Sequence, residues 1–260
     1  MATSRVALMG ASLRVGWLWL FVVAAWALAI IATLTGQRAL IDHHYLLEQS
    51  GLSWPLAAVV FLAAWQVMIL AMMAPISISL LTRAAVPLGW LPLHARGAVL
   101  AGNAIAWTLF GFLAFSGDTA IHRLVDAWPW LAAHTFVIGA TTLIVAGLFQ
   151  FTRWKATCLA FCRDQRAYVS VGGSAHVRSA WETGMRHGLA SVGSCWALML
   201  IMFGVGVGGL GWMLALTGAM LVETLAPAES RARQVIGVAL LLLAALWLAH
   251  PAWLVPISAA

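Results

Sequence analysis

Residues 55–81 read PLAAVVFLAAWQVMILAMMAPISISLL, an apolar run without a single charged side chain. A transmembrane helix needs about 20 predominantly apolar residues, so this run is long enough to cross a bilayer. Similar runs recur along the whole chain. They predict an all-α protein, a polytopic bundle of transmembrane helices.

Seven apolar stretches are predicted to span the membrane, at about residues 15–34, 55–81, 97–115, 135–151, 188–204, 210–225 and 236–255. The fifth and sixth are short and joined by a glycine-rich turn, so a re-entrant hairpin there is the alternative, with six spans. Because 63% of the residues are hydrophobic and only 8% are charged, lipid must be the main solvent of this chain. We therefore expect residues 1–260 to form one membrane domain.

The basic residues are distributed unevenly between the two ends of these stretches. Twelve of the fourteen lysines and arginines fall on one side, whereas only Arg38 and Arg123 fall on the other. The positive-inside rule makes the basic side cytoplasmic, which places the N-terminus in the cytoplasm of a bacterium with the chain in its inner membrane. The largest cytoplasmic segment is the loop 152–187, whose first half can prolong the fourth helix.

The formal net charge of +6 does not indicate a nucleic-acid partner. The basic residues are scattered over several loops and form no stripe or aromatic-interleaved patch. Their positions are those of topology determinants, so the expected surroundings are a lipid bilayer.

Two cysteines in the cytoplasmic loop form a first candidate metal site. Cys158 and Cys162 are four residues apart, which on a helix puts their Cβ atoms about 5–6 Å apart on one face. Thiolates bind soft ions such as Cu(I) and Zn(II). The alternative is that both are small residues at a helix–membrane boundary.

Polar and sulfur-bearing residues form a stripe along the fifth predicted span. The residues that share this helical face are His187, Ser191, Ser194, Cys195 and Met202, with Met199 at its edge. Such a stripe in an otherwise apolar span is typical of a soft-ion site. The alternative is helix packing through small residues.

The second span contains a methionine group beside a proline. Met68 and Met72 are four residues apart, and Met73 follows. Pro75 is predicted to kink the helix and to leave the carbonyl of Ala71 without its helical partner. Thioethers beside a broken turn suit Cu(I), whereas core packing is the alternative.

Glu223 lies close to the cytoplasmic end of the sixth span. An ionisable residue at such a position usually faces a partner or water, and Lys155 and Arg186 are the candidate partners. If the helices concerned are neighbours, one cluster is predicted, made of Cys158, Cys162, His187 and Glu223.

Three ordered motifs resemble those of a known family. They are WQVMILAMMAP at 65–75, QFTRWKATCLAFC at 150–162, and GMRHG at 184–188 continuing to CWALM at 195–199. The chain resembles an uncharacterised bacterial family described as predicted metal-binding integral membrane proteins (domain of unknown function 2182) over about residues 55–225. The resemblance implies that the cysteines, His187 and the second-span methionines are ligands. At two positions where the family pattern has cysteine, this chain has Ser191 and Ser194, which implies fewer thiolates.

The expected function is the binding or handling of a soft metal ion, copper rather than zinc. The chain would act as a transporter or as a metal-site assembly factor that supplies a metal-receiving protein. We expect no enzymatic activity, because no proton-transfer set or nucleophile with its base is recognisable. The alternative is a non-catalytic accessory subunit of a larger membrane protein complex. The candidate ligands are Cys158, Cys162, His187, Cys195, Met68, Met72, Met73, Met199, Met202 and Glu223.

Overall fold

The computed structural model describes residues 19–36, 51–83, 92–164, 177–205, 209–227 and 230–250. Within these ranges the chain is helical, contains no β-strand and forms a helical bundle, as the sequence predicts. Three parts of the predicted spans and turn lie outside the described residues. They are the middle of the glycine-rich turn at 206–208, residues 15–18 of the first span and residues 251–255 of the last.

The helices in these ranges are α1 (Trp19–Leu34), α2 (Trp54–Arg83), α3 (Leu93–Ala127), α4 (Pro129–Ala133), α5 (Phe136–Phe149), α6 (Arg153–Arg163), α7 (Val177–Val205), α8 (Leu210–Leu225) and α9 (Ala232–Ala249). Segments of α2, α3, α7 and α9 are long and apolar enough to cross a membrane, and α5 with α6 makes a fifth if the pair is one broken span. The apolar helices α1 and α8 are shorter. The number of seven spans stays a prediction.

Two helices continue past the apolar runs from which the spans were predicted. α3 has 35 residues, far more than the predicted span 97–115. The predicted loop 152–187 contains α6 and the first turns of α7, which begins at Val177. Hydropathy detects apolar side chains, but the backbone hydrogen bonds of a helix continue equally well through polar residues.

The chain turns sharply between α5 and α6, so the second helix does not prolong the first. The two helix axes are inclined by 69°. The hydroxyl of Thr152 accepts a hydrogen bond from the backbone N–H of Lys155 at 3.2 Å and so caps α6. Arg233 of α9 donates to the carbonyls of Gln150 at 3.1 Å and Thr152 at 3.4 Å. Side chains thus satisfy backbone groups that the interrupted helix leaves open.

Helices α3 and α7 pack backbone against backbone through glycines. A Cβ atom at Gly184 would lie 2.1 Å from the carbonyl oxygen of Val99, and one at Gly102 would lie 2.5 Å from the carbonyl oxygen of Trp181. Gly188 repeats the pattern one turn after Gly184. Small residues at this spacing are what lets membrane helices approach closely. This glycine seam fixes the position of α7.

The carbonyl left open by Pro75 finds a donor on another helix. The indole Nε1 of Trp26 in α1 donates to the carbonyl oxygen of Ala71 at 3.1 Å. Proline at position 75 has no N–H to serve that oxygen. In an apolar environment an unpaired carbonyl costs several kcal/mol, about 2–7 on transfer scales. The carbonyl that was predicted to lack a helical partner therefore binds α1 to α2 through this hydrogen bond.

We expect Gly184→Ala to lower the free energy of unfolding by about 1–3 kcal/mol, because the new Cβ must push apart two helix backbones. The measurement is chemical unfolding of the purified protein in detergent. Gly117→Ala in α3 is the control, since no atom lies within 4 Å of a Cβ placed there. Equal effects of the two substitutions would contradict the glycine seam.

We expect Trp26→Phe to destabilise the protein by about 1–3 kcal/mol through the unsatisfied Ala71 carbonyl. In a Pro75→Ala background the cost should shrink, because residue 75 then supplies an N–H to that carbonyl. The loss of indole volume is common to both backgrounds, so the difference isolates the hydrogen bond. A cost that is the same in both backgrounds would show that packing alone matters.

Candidate metal centre

A small cavity lies between α2, α6, α7 and α8. Its volume of about 20 Å³ is enough for one water molecule or one ion. The side chains that line it are Met73, Ile76, Ser77, Cys162, His187, Ser191, Ser194, Cys195 and Thr224. The cavity therefore collects residues from three of the four predicted groups.

Helix α7 supplies four of the lining residues, and they come from the stripe predicted from its sequence. His187, Ser191, Ser194 and Cys195 all face the cavity, as the helical spacing predicts. The Ser194 hydroxyl donates to the carbonyl of Ser191 at 2.9 Å and lies 3.3 Å from the Sγ atom of Cys195. Cys162 of α6 lines the same cavity, so the cavity holds thiols from two different helices.

The donors in the cavity are chemically soft. Cys162 and Cys195 are buried free thiols, Met73 contributes a buried thioether and His187 contributes an imidazole. Thiolate and thioether ligands favour soft ions such as Cu(I) and Zn(II), and imidazole suits both metals, whereas magnesium and calcium prefer oxygen. Among the described residues, no carboxylate lines the cavity. The residues present therefore fit Cu(I) as a cargo.

Cys158 does not reach the cavity, although it shares a helical face with Cys162. A Cβ atom placed on Gly193 would lie 2.7 Å from the Sγ atom of Cys158. The Cys158 thiol is thus packed against the backbone of α7, one turn from the lining residue Cys162. The two thiols of the predicted pair therefore have different surroundings. Cys158 packs against Gly193 of α7, whereas Cys162 lines the cavity.

Glu223 has one of the partners that the sequence proposed for it. Its Oε2 atom lies 2.7 Å from the Nζ atom of Lys155, and the two side chains are 2% and 0% exposed. Arg163 donates to the backbone carbonyls of Glu223 and, at 3.1 Å, of Thr224. The end of α8 is therefore held by cations of α6.

The four-residue cluster of Cys158, Cys162, His187 and Glu223 does not assemble as a ligand set. Among the described residues, no three or more His, Cys, Asp or Glu side chains come together where they could hold a metal ion. Glu223 is neutralised by Lys155, because a buried carboxylate requires a counter-charge. The soft donors that line the cavity are Cys162, Cys195, Met73 and His187, and they too are not gathered into a ligand set in this structure.

The remaining candidate methionines do not line the cavity. Met68, Met72, Met199 and Met202 are buried in the main hydrophobic core. Sequence reasoning missed Ser77 and Thr224 as lining residues. Thr224 could have been suspected from its position next to Glu223, whereas Ser77 carries no signal that separates it from ordinary packing.

The described helices form a bundle whose cavity is lined by thiols, a thioether and an imidazole, which are donor types that soft metal ions prefer. The chain belongs to the PpoB2 family, described as copper chaperone, whose model matches residues 62–247. The matched range contains every residue that lines the cavity. No curated protein and no solved structure matches the chain.

The family supports the metal-related character that the resemblance implied, and its description is consistent with copper. Its description is PpoB2 rather than domain of unknown function 2182.

We expect Lys155→Met to destabilise the protein by about 3–5 kcal/mol, because Glu223 is then left as a buried unpaired charge. Adding Glu223→Gln should recover a large part of that loss, since no charge then remains. The measurement is the free energy of unfolding of both variants in detergent.

Arg178→Ala serves as the control, because it breaks an exposed pair with Glu182, 3.1 Å apart, and exposed pairs contribute little. If the double variant is no more stable than Lys155→Met, the unpaired charge of Glu223 is not the cause of the destabilisation.

Proposed function

We propose that this chain is a copper chaperone of the bacterial inner membrane that binds Cu(I) in the cavity and passes it to a metal-receiving protein. It would act as a metal-site assembly factor and carry out no chemical conversion of its own. The observation that carries the proposal is that Cys162 of α6 and Cys195 of α7 line one cavity, where the Ser194 hydroxyl lies 3.3 Å from the Sγ atom of Cys195. Met73 and His187 line the same cavity.

The donor set favours Cu(I) over zinc. Structural zinc sites are usually closed tetrahedra of four cysteine or histidine ligands. Here the cavity offers two thiols and one imidazole, and its remaining sulfur donor is the thioether of Met73, which is a ligand for Cu(I) rather than zinc. Ser191 and Ser194 stand where the resemblance implies further cysteines, so the site would have few thiolates, which suits a protein that must release its cargo.

Aromatic packing beyond the cavity favours delivery over transport across the membrane. Phe61 stacks on Phe115 with ring centroids 4.7 Å apart, and Phe203 lies 5.9 Å from both Phe61 and Trp65. These rings, which we call the aromatic layer, fill the bundle between α2, α3 and α7. An ion held in the cavity would meet apolar rings in that direction, so we propose that it enters and leaves at the cavity end.

Cys162→Ser and Cys195→Ser should each weaken Cu(I) binding by at least about tenfold, a loss of about 1.4 kcal/mol, because each removes a thiolate ligand. The measurement is anaerobic competition of the detergent-purified protein against a coloured Cu(I) chelator. Cys158→Ser is the matched control: it makes the same change on the same helix, one turn away, outside the cavity. It should leave the affinity within about twofold.

Unchanged binding in both cavity variants would overturn the proposal. It would instead favour the accessory-subunit alternative, in which the sulfur residues only pack. Transport is tested separately in sealed liposomes that contain the protein. Accumulation of Cu(I) inside them would contradict an assembly factor, whereas transfer to an external thiol acceptor without accumulation would support it.

A further inference from the structure

One corner of the bundle carries more positive than negative charge. It lies where the ends of α5 and α8 meet α6 and the start of α9. Lys155 is neutralised there by Glu223, 2.7 Å away. Arg163 of α6 and Arg233 of α9 are half-buried at this corner, and no described carboxylate lies within ion-pair distance of either. Two guanidinium groups therefore have no counter-charge in the described part of the chain.

A series of contacts connects these two arginines. Arg233 donates to the carbonyl of Thr152 at 3.4 Å, and the hydroxyl of Thr152 accepts from the N–H of Lys155 at 3.2 Å. Lys155 pairs with Glu223, and Arg163 donates to the backbone carbonyl of the same Glu223. The two guanidinium groups also repel each other electrostatically. They therefore belong to one site rather than to separate parts of the surface.

The position of Arg233 is unfavourable for a cation. It lies in the first turn of α9, which begins at Ala232 and has, among the described residues, neither an acidic residue in that turn nor a side-chain cap. The N-terminal end of a helix carries a partial positive charge, which repels cations. Arg163 adds a second repulsion. An anion beside both arginines would relieve the two repulsions together.

Both arginines keep N–H donors for such an anion. Arg163 uses its Nε and Nη2 atoms, and Arg233 uses its Nη1 atom, to bind the helix-end carbonyls described above. The Nη1 atom of Arg163 and the Nε and Nη2 atoms of Arg233 donate to no acceptor in the described ranges. A planar guanidinium presents such donors as a fork that matches the oxygen atoms of a phosphate.

The surroundings of the corner favour a lipid over a free anion. Because α6 is inclined by 69° to α5, a transmembrane α5 places α6 close to the plane of the membrane surface, on the side that the positive-inside rule predicts to be cytoplasmic. Exposed apolar side chains adjoin the corner. They are Phe151, which packs against Gly237 of α9, and Val235, two residues after Arg233. A phospholipid would place its phosphate on the arginines and its acyl chains on these apolar side chains.

We propose that Arg163 and Arg233 bind the phosphate of an anionic phospholipid of the cytoplasmic leaflet. This site goes beyond the proposed copper function and does not depend on it. Basic pockets between membrane helices on the cytoplasmic side bind such headgroups. A zwitterionic lipid has the same phosphate, but its ammonium group brings a further positive charge to the corner, so the site prefers lipids of net negative charge. The bound lipid also holds α6 against α8 beside the cavity, because Arg163 binds the carbonyl of the lining residue Thr224.

The test is native mass spectrometry of the full chain in neutral detergent, without copper, titrated with phosphatidylglycerol or phosphatidylcholine. We expect the wild-type protein to retain phosphatidylglycerol at a concentration about tenfold lower, since each basic residue near the headgroups contributes a several-fold preference. Arg163→Gln with Arg233→Gln should reduce that preference to within about twofold, while the glutamine amides can still donate to the backbone carbonyls. Each single substitution should remove part of the preference, which provides the same test if the double variant does not fold.

Arg178→Gln with Arg186→Gln is the matched control, because it removes two positive charges from α7 on the same predicted side of the membrane. This variant should keep the preference for phosphatidylglycerol. Equal retention of the two lipids by the wild-type protein would overturn the site. An equal loss of preference in the control would also overturn it, because general surface charge would then explain the binding.

Two further measurements identify the anion. Inorganic phosphate should not displace the lipid, and displacement at millimolar concentration would assign the corner to a free anion instead. Glu229 precedes α9 in the sequence and lies outside the described residues. Glu229→Gln should leave the preference within about twofold of wild type, whereas a larger rise would make Glu229 the counter-charge of the arginines and overturn the lipid as their partner.

Discussion

The close contact between α3 and α7 is the constraint on which the rest of this bundle depends. Gly184 and Gly102 bring two helix backbones together at distances that no side chain would permit. In lipid, where apolar side chains gain little by leaving their solvent, such close packing is a main source of helix association. The seam sets α7 in place, and α7 in turn presents four of the cavity residues to α2, α6 and α8. The metal-binding geometry is therefore a consequence of where two glycine-bearing faces meet.

Hydrogen bonds of polar groups connect neighbouring helices in the bundle. The Ala71 carbonyl ties α1 to α2 through Trp26. Arg163 closes the end of α8, and Arg233 closes the end of α5. Each bond satisfies a backbone group that lipid cannot serve. The buried pair of Lys155 and Glu223 belongs to the same set, and it keeps a carboxylate from competing with the soft donors nearby.

The sequence predicted those features that depend on a single helix. Apolar runs predicted the apolar helices. The spacing of His187, Ser191 and Cys195 predicted that they share one face of α7. Pro75 predicted that the carbonyl of Ala71 lacks its helical partner. It failed where two helices must be placed relative to each other. Cys158 and Cys162 share a face of α6, but only the docking of α6 on Gly193 decides which thiol enters the cavity. The turn between α5 and α6 was missed for the same reason, since a distant arginine of α9 stabilises it.

The glycines of this bundle differ in whether a change at a neighbouring residue can compensate for their substitution. Gly184 faces the backbone of Val99, and Gly193 faces the thiol of Cys158. A substitution at residue 193 can be compensated by a smaller or rotated side chain at 158, so these two positions are free to change together among relatives. No substitution at residue 99 removes a carbonyl oxygen, so position 184 has no partner with which to covary. The glycine seam should therefore appear in an alignment as invariance, and the Gly193–Cys158 contact as correlated change.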